Sequence, residues 1–352
     1  MTKAITNGKR DGGVSRGLEL ALFATAMLWA LTSNVIAGRA AAGIAGRLGL
    51  TYGQALLESL FLLFLVVIGL QMLEWISAGG GKRSEVMPLP RRKSSAREWG
   101  TGVAIGWGLC LAAVLPVLLA GHLHARLSRG VGVVPGVLAA MATLLVAALA
   151  EEVIFRGYPF QRLMRATGPA WAAVLMSMLF AAVLVNANPP INMGLALLDG
   201  TLFGLVLAMA YLRTHALWVG WGLHFGYRAV MAVLLGLPIV GRSDFGSVMD
   251  ANASGPRWLS GGGFGLDAAL LTALAMLGGM AVLYRATRDW AWAYTLPEIV
   301  PGGYEVVVAP PAAHVAMEKA AAPLPLVQIL PVTSQSFSAR TETTVEDGSA
   351  KD

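Results

Sequence analysis

The chain has 352 residues, 56% of them hydrophobic and 13% charged, against about 25% charged in an ordinary soluble domain; a water-soluble globular protein is excluded. The formal net charge of +6 does not indicate nucleic acid, because the basic residues flank apolar runs, where they act as topology signals. The one cysteine, Cys110, excludes an intramolecular disulfide and a thiolate metal cluster. Within GWGLCLAAVLP it reads as a small buried hydrophobe.

Apolar runs of about twenty residues recur along the chain, each long enough to cross a hydrocarbon core of about 30 Å as a helix. Continuous runs, in place of ten-residue alternation, exclude a closed barrel. The expected fold class is all-α, a polytopic membrane helix bundle of about eight transmembrane helices. In chain order these are placed at roughly 18–38, 55–77, 100–120, 131–155, 170–187, 192–212, 216–236 and 265–284. The first follows a basic segment but is too long for a signal-peptide core and lacks a small-residue cleavage site, so it reads as a retained anchor.

Four regions follow from this pattern. Residues 1–17 form a basic tail with Lys3, Lys9, Arg10 and Arg16. Residues 18–98 hold two spans and a basic loop with Lys82, Arg83, Arg91, Arg92, Lys93 and Arg97. Residues 99–290 form the core. Residues 291–352, rich in Pro, Ala, Ser and Thr from about Pro301, cannot bury enough apolar surface to offset ordering entropy and are expected to be disordered.

The excess of Lys and Arg places the tail and the 82–97 loop in the cytoplasm, and eight spans return the C-terminus there. Arg156, Arg162, Arg165, Arg213, His215, Arg285 and Arg288 then also fall inside. His122, His124, Arg126 and Arg129 fall outside, against the rule, and the Gly-rich segment 237–264 is an external loop. The expected location is a bacterial inner membrane with both termini cytoplasmic. The basic loop sets orientation, and its six Lys and Arg residues, which outnumber Glu85 and Glu98, could also hold anionic headgroups.

Ionisable side chains inside spans cost roughly 2.5–3.5 kcal/mol each on insertion scales and usually face the bundle interior. Here they include Glu58, Glu151, Glu152, Arg156, Asp199, His224 and Arg228. Glu152 and Arg156 are four apart and share a helix face, whereas Glu151 is turned by about 100° toward a neighbouring helix. His224 and Arg228 share a face in the same way. Two polar faces suggest one interior site. The bland alternatives are a charged cluster that merely ends a span and a histidine satisfied by a backbone carbonyl. Glu58 reads as structural, and Asp199 could be a helix-packing hydrogen bonder beside Gly200 and Thr201.

These residues resemble the CPBP intramembrane proteases, a family that includes CAAX prenyl proteases and bacteriocin-processing enzymes. EEVIFR at 151–156 matches the family's Glu-Glu-x-x-x-Arg motif. FAAVL at 180–184 keeps Phe180 of Phe-x-x-x-His but has Leu184 in place of the histidine, and GLHFGYR at 222–228 supplies His224 of His-x-x-x-Asn with Arg228 for the asparagine. NANPP, LGLPIVG and GGGFG extend the likeness over roughly 95–285.

The resemblance implies glutamate-based hydrolysis in which Glu151 and the middle histidine activate water while His224 and position 228 stabilise the oxyanion. Catalytic candidates are accordingly Glu151, Glu152, Arg156, His224 and Arg228, with no cofactor. One intramembrane histidine is too few ligands for zinc, so no metal is expected. The expected partners are the lipid bilayer and a peptide or membrane-protein substrate, prenylated in the CAAX case. Leu184 cannot take a proton, and Arg228 needs a counter-anion, either Glu151 or Asp199. Asn186 and Asn188 could hold a water near the vacant position. Two functions remain open: an intramembrane peptidase with reduced or lost activity, and a non-catalytic scaffold that binds a prenylated peptide or a partner helix.

Overall fold

The computed structural model describes residues 15–50, 52–77, 86–130, 132–188 and 190–290. Lys3, Lys9, Arg10, Lys82, Arg83, Glu85 and the 291–352 tail lie outside the described residues. The chain is an all-α membrane bundle. Among the described residues six helices are long and apolar enough to cross a bilayer, counting α4 and α5 together: α1 (Arg16–Leu48), α2 (Gln54–Ser77), α3 (Ser95–Leu119), α4 (Val133–Arg156) with α5 (Tyr158–Thr167), α6 (Pro169–Ala187) and α7 (Met193–Thr214).

The last two expected spans are shorter. The seventh is α8 (Trp218–Arg228), which continues into a wider π-helical turn at Ala229–Leu234; the eighth is α10 (Leu270–Ala286), after a single-turn α9 (Arg257–Ser260). With 17 residues, α10 is about 26 Å long, a little under the hydrocarbon thickness.

The fourth span does not end in a loop, as the sequence suggested, but turns at Gly157 directly into α5. A Cβ at Gly157 would collide with the carbonyl oxygens of Val153 and Val86, so only glycine permits the bend. Beyond it, Arg162 is buried and bonds Glu19 of α1 at 3.2 Å and Glu74 of α2 at 2.6 Å. Arg162 is therefore a clasp joining three helices, not the free topology charge expected from its position.

A two-stranded antiparallel sheet was not anticipated. β1 (Leu123–Leu127) pairs with β2 (Met249–Ala253), with Leu123 opposite Ala253 and Leu127 opposite Met249. It ties the α3–α4 connection to the long 237–264 segment at one end of the bundle, so the dissenting basic residues His124 and Arg126 lie beside the loop assigned to the same side.

Glycines let α3 and α8 approach backbone to backbone. Side chains at Gly102 and Gly106 would strike the α8 backbone at Val219 and Leu223, and side chains at Gly222 and Gly226 would strike α3 at Trp99 and Val103. Without a hydrophobic drive between helices in lipid, such small-residue contact supplies the packing. It fixes α8, and with it His224 and Arg228, against the core. On the other side Gly200 and Gly204 of α7 nest on Ala181 and Ser177 of α6.

Candidate active site

The last turn of α4 delivers Glu151, Glu152 and Arg156, and α8 delivers His224 and Arg228. The turn after Arg228 is π-helical, a form that occurs mostly as single bulges and frequently at functional sites. All five expected residues meet in one network. Arg228 grips Glu151 with two parallel bonds, Nη1 to Oε1 at 2.6 Å and Nη2 to Oε2 at 3.0 Å. This fork-to-fork geometry is the strong form of a carboxylate–guanidinium contact. Of the two candidate counter-anions for Arg228, Glu151 is the one bonded.

Glu152 sits deeper. Its Oε1 is hydrogen-bonded to His224 Nδ1 at 2.9 Å and lies 3.4 Å from Arg156 Nη1, and Arg156 Nη2 donates to the Gly204 carbonyl at 3.0 Å. Glu152, Arg156 and His224 are essentially inaccessible, whereas the Glu151 side chain keeps 22% of its surface open. Burying such charges is tolerated because Glu152 and Arg156 pair with each other, although Glu152 Oε2 has no hydrogen-bond partner among the described residues. Gly220 makes room: a Cβ there would stand 3.0 Å from Glu152 Oε2.

Aromatic rings close the lower wall. Phe180 and Phe203 meet the His224 ring edge-on at 6.0 and 5.1 Å, and the Arg156 guanidinium lies 4.9 Å over Phe180. His224 Nε2 has no hydrogen-bond partner among the described residues and lies 3.5 Å from Glu151 Oε2. The histidine thus faces both glutamates, one through each ring nitrogen, and is not satisfied by a backbone carbonyl.

Glu151 opens on a cavity of about 320 Å³ whose wall includes Leu184, Asn188, Arg228, Glu58 and Arg242. Glu58, expected to be structural, faces this chamber. Sequence reasoning missed Arg242 altogether, because a loop arginine after LPIVG carries no local signal; it pairs with Asp244 at 2.8 Å. That pairing holds the Asp244 carboxyl below its ordinary range and raises the Arg242 guanidinium. Of the two asparagines, Asn188 lines the cavity and Asn186 is exposed. Asp199 is buried and accepts from the Ala269 amide at 3.0 Å, away from Glu151. Among the described residues no set of three His, Cys, Asp or Glu gathers as metal ligands.

Residues 132–230, which span α4 to the π-helical turn, match the family model described as type II CAAX prenyl endopeptidase Rce1-like. Over this segment the chain is similar to type II CAAX prenyl endopeptidases. No curated protein and no solved structure matches the chain. The Rce1-like segment contains Glu151, Glu152, Arg156, Phe180, Leu184, His224 and Arg228, so both departures from the motif fall inside it. The helices flanking it, α1 to α3 and α10, supply the remaining walls of the bundle.

Proposed function

We propose that this protein is a CAAX-peptidase-like membrane protein that holds an apolar or prenylated peptide segment in the 320 Å³ cavity and does not cleave it at an ordinary peptidase rate. The Glu151–Arg228 ion pair carries this reading. A general base needs an electron-rich lone pair directed at the water it deprotonates, and here one of the two lone pairs on each Glu151 oxygen is bonded to the same guanidinium, whose positive charge draws electron density from both oxygens. Leu184 adds to the deficit, since it offers neither proton acceptor nor donor where the family places a second histidine. Loss of such a partner costs about 10²- to 10⁴-fold.

Binding has separate support. The cavity joins apolar wall from Leu62, Leu144 and Phe155 to polar groups at Asn188 and Arg242, a combination that suits a lipidated chain with a peptide backbone. A second reading, slow hydrolysis, is favoured by one observation: among the described residues His224 Nε2 has no hydrogen-bond partner, and it lies 3.5 Å from Glu151 Oε2. In that reading Glu151 accepts the water proton, and His224 and Arg228 donate to the developing oxyanion. The inner-membrane location with cytoplasmic termini is part of the same proposal.

The deciding experiment uses the full chain purified in detergent with a fluorescent farnesylated peptide. Expected are saturable binding and no cleavage above that of Glu151→Ala. Cleavage that disappears in Glu151→Ala establishes the hydrolase instead, and absence of binding removes the prenylated ligand class.

A further inference from the structure

Gly136, Ala140, Thr143 and Ala147 follow one another at three- or four-residue spacing on α4 and lead to Glu151 on the same helix face. All four line cavities. Thr143 and Ala147 belong to the 320 Å³ chamber that holds Glu151, and Gly136, Ala140 and Thr143 to an outer chamber of about 280 Å³. The two chambers meet at Ala55, Glu58, Thr143, Arg242 and Phe245, which line both. From Gly136 to Glu151 this face of α4 is about 22 Å long at 1.5 Å per residue, and its small side chains leave the passage open.

The two ends of the passage differ. The outer chamber adds Tyr52, Gln54 and Asp244 to Glu58 and Arg242, and it lies where α2 and α4 begin, beside the 237–264 segment. That end is polar. On the far side of Glu151, Arg156, Tyr158, Phe160 and Arg162 are each at most 4% exposed, and Arg162 clasps α5 to α1 and α2 through Glu19 and Glu74. Among the described residues, Glu151 therefore has its polar approach from the sheet end.

We propose that the ligand of this site is an apolar peptide segment of a chain on the extracytoplasmic side of the membrane, with its apolar part in the inner chamber and its polar continuation in the outer one. The inference rests on the peptide-holding reading above and on the orientation that puts the sheet end outside; it adds the side from which the peptide arrives. Exposed Leu31 and Asn34 line the flank of the inner chamber, so the apolar part lies against lipid. An extended chain carries backbone groups that need partners away from water, and the polar side chains of the outer chamber supply them. A lipidated C-terminus presented in the cytoplasm meets the sealed end instead.

The test places single cysteines in the full chain: Ala147→Cys inside the passage, with Ser243→Cys at the sheet end and Ala96→Cys at the opposite end as references. An impermeant methanethiosulfonate reagent, which reacts with thiolates that water reaches, is added to right-side-out and to inside-out vesicles. Expected is labelling of Ala147→Cys and Ser243→Cys in right-side-out vesicles only. An apolar peptide with a charged solubilising tail, added outside, should abolish the Ala147→Cys signal and leave that of Ser243→Cys. Ala139→Cys, in the wall of the outer chamber, gives the same readout if Ala147→Cys fails to fold. Labelling of Ala147→Cys from the Ala96→Cys side, labelling from neither side, or no protection by the outside peptide overturns the proposal. Labelling of Ala147→Cys and Ser243→Cys in inside-out vesicles alone also overturns it, by reversing the orientation. Binding of the farnesylated peptide in detergent has no sidedness, so its failure removes the peptide-holding reading separately.

Discussion

Arg228 and Glu151 lie on different helices, yet the guanidinium of the one covers both oxygens of the other at 2.6 and 3.0 Å. The contact spans the point where the family motif departs from its usual residues. An arginine one helical turn after His224 reaches the carboxylate that the motif assigns to water activation, and the neighbouring cavity wall carries leucine at 184.

Reverting both departures should restore a base and its partner. Arg228→Asn alone frees the Glu151 oxygens, and the double variant Leu184→His, Arg228→Asn also supplies the second proton-transfer group. The double variant is expected to cleave a farnesylated peptide at least about 10²-fold faster than the parent, with activity lost again on adding Glu151→Ala. A double variant that binds the peptide but cleaves no faster would show that the two substitutions are not what limits hydrolysis.

Arg156 neutralises Glu152 in a fully buried setting and also satisfies the Gly204 carbonyl. Arg156→Met leaves that carboxylate without its cation and should destabilise the fold by about 3–5 kcal/mol. Adding Glu152→Gln should recover part of the loss, because the uncompensated charge goes with it. Detergent-phase thermal unfolding of the single and double variants measures both effects.

The α3–α8 crossing depends on missing side chains. Gly222→Ala places a methyl group against the Trp99 carbonyl and should cost about 1–3 kcal/mol by overpacking. Gly108→Ala, on the open face of α3 with no atom within 4 Å of its Cβ position, is expected to leave Tm unchanged or slightly raised. Equal effects from the two would contradict the glycine-mediated contact.

Orientation is testable because Cys110, the one native cysteine, is buried and gives little labelling background. In intact cells an impermeant maleimide should label Ser243→Cys, on the loop at the sheet end, and not Ala96→Cys at the start of α3. Both positions are exposed. The reverse pattern would invert the proposed topology.

Much of this molecule was legible in one dimension. Hydropathy marked the helices because a bilayer forces every backbone hydrogen bond inside the segment. Helical spacing grouped Glu152 with Arg156 and His224 with Arg228, since residues four apart share a face whatever the fold. The order of the motifs pointed to α4, α6 and α8 as the walls of one site. The charged residues of the interior stood out because each is costly in lipid.

Which of those charges meet is decided only by three-dimensional packing. Spacing could not choose between Glu151 and Asp199 as the partner of Arg228, because that choice rests on how far α8 sinks onto α3 across Gly102, Gly106, Gly222 and Gly226. Nor could it place Glu58 and Arg242 on the same cavity as Glu151, since these residues are far apart in the chain and come from helices and loops with no shared period. Side-chain period reports the face a residue occupies on its own helix; the neighbour opposite that face is set by helix crossing, which depends on small residues and backbone contact distributed across the whole bundle.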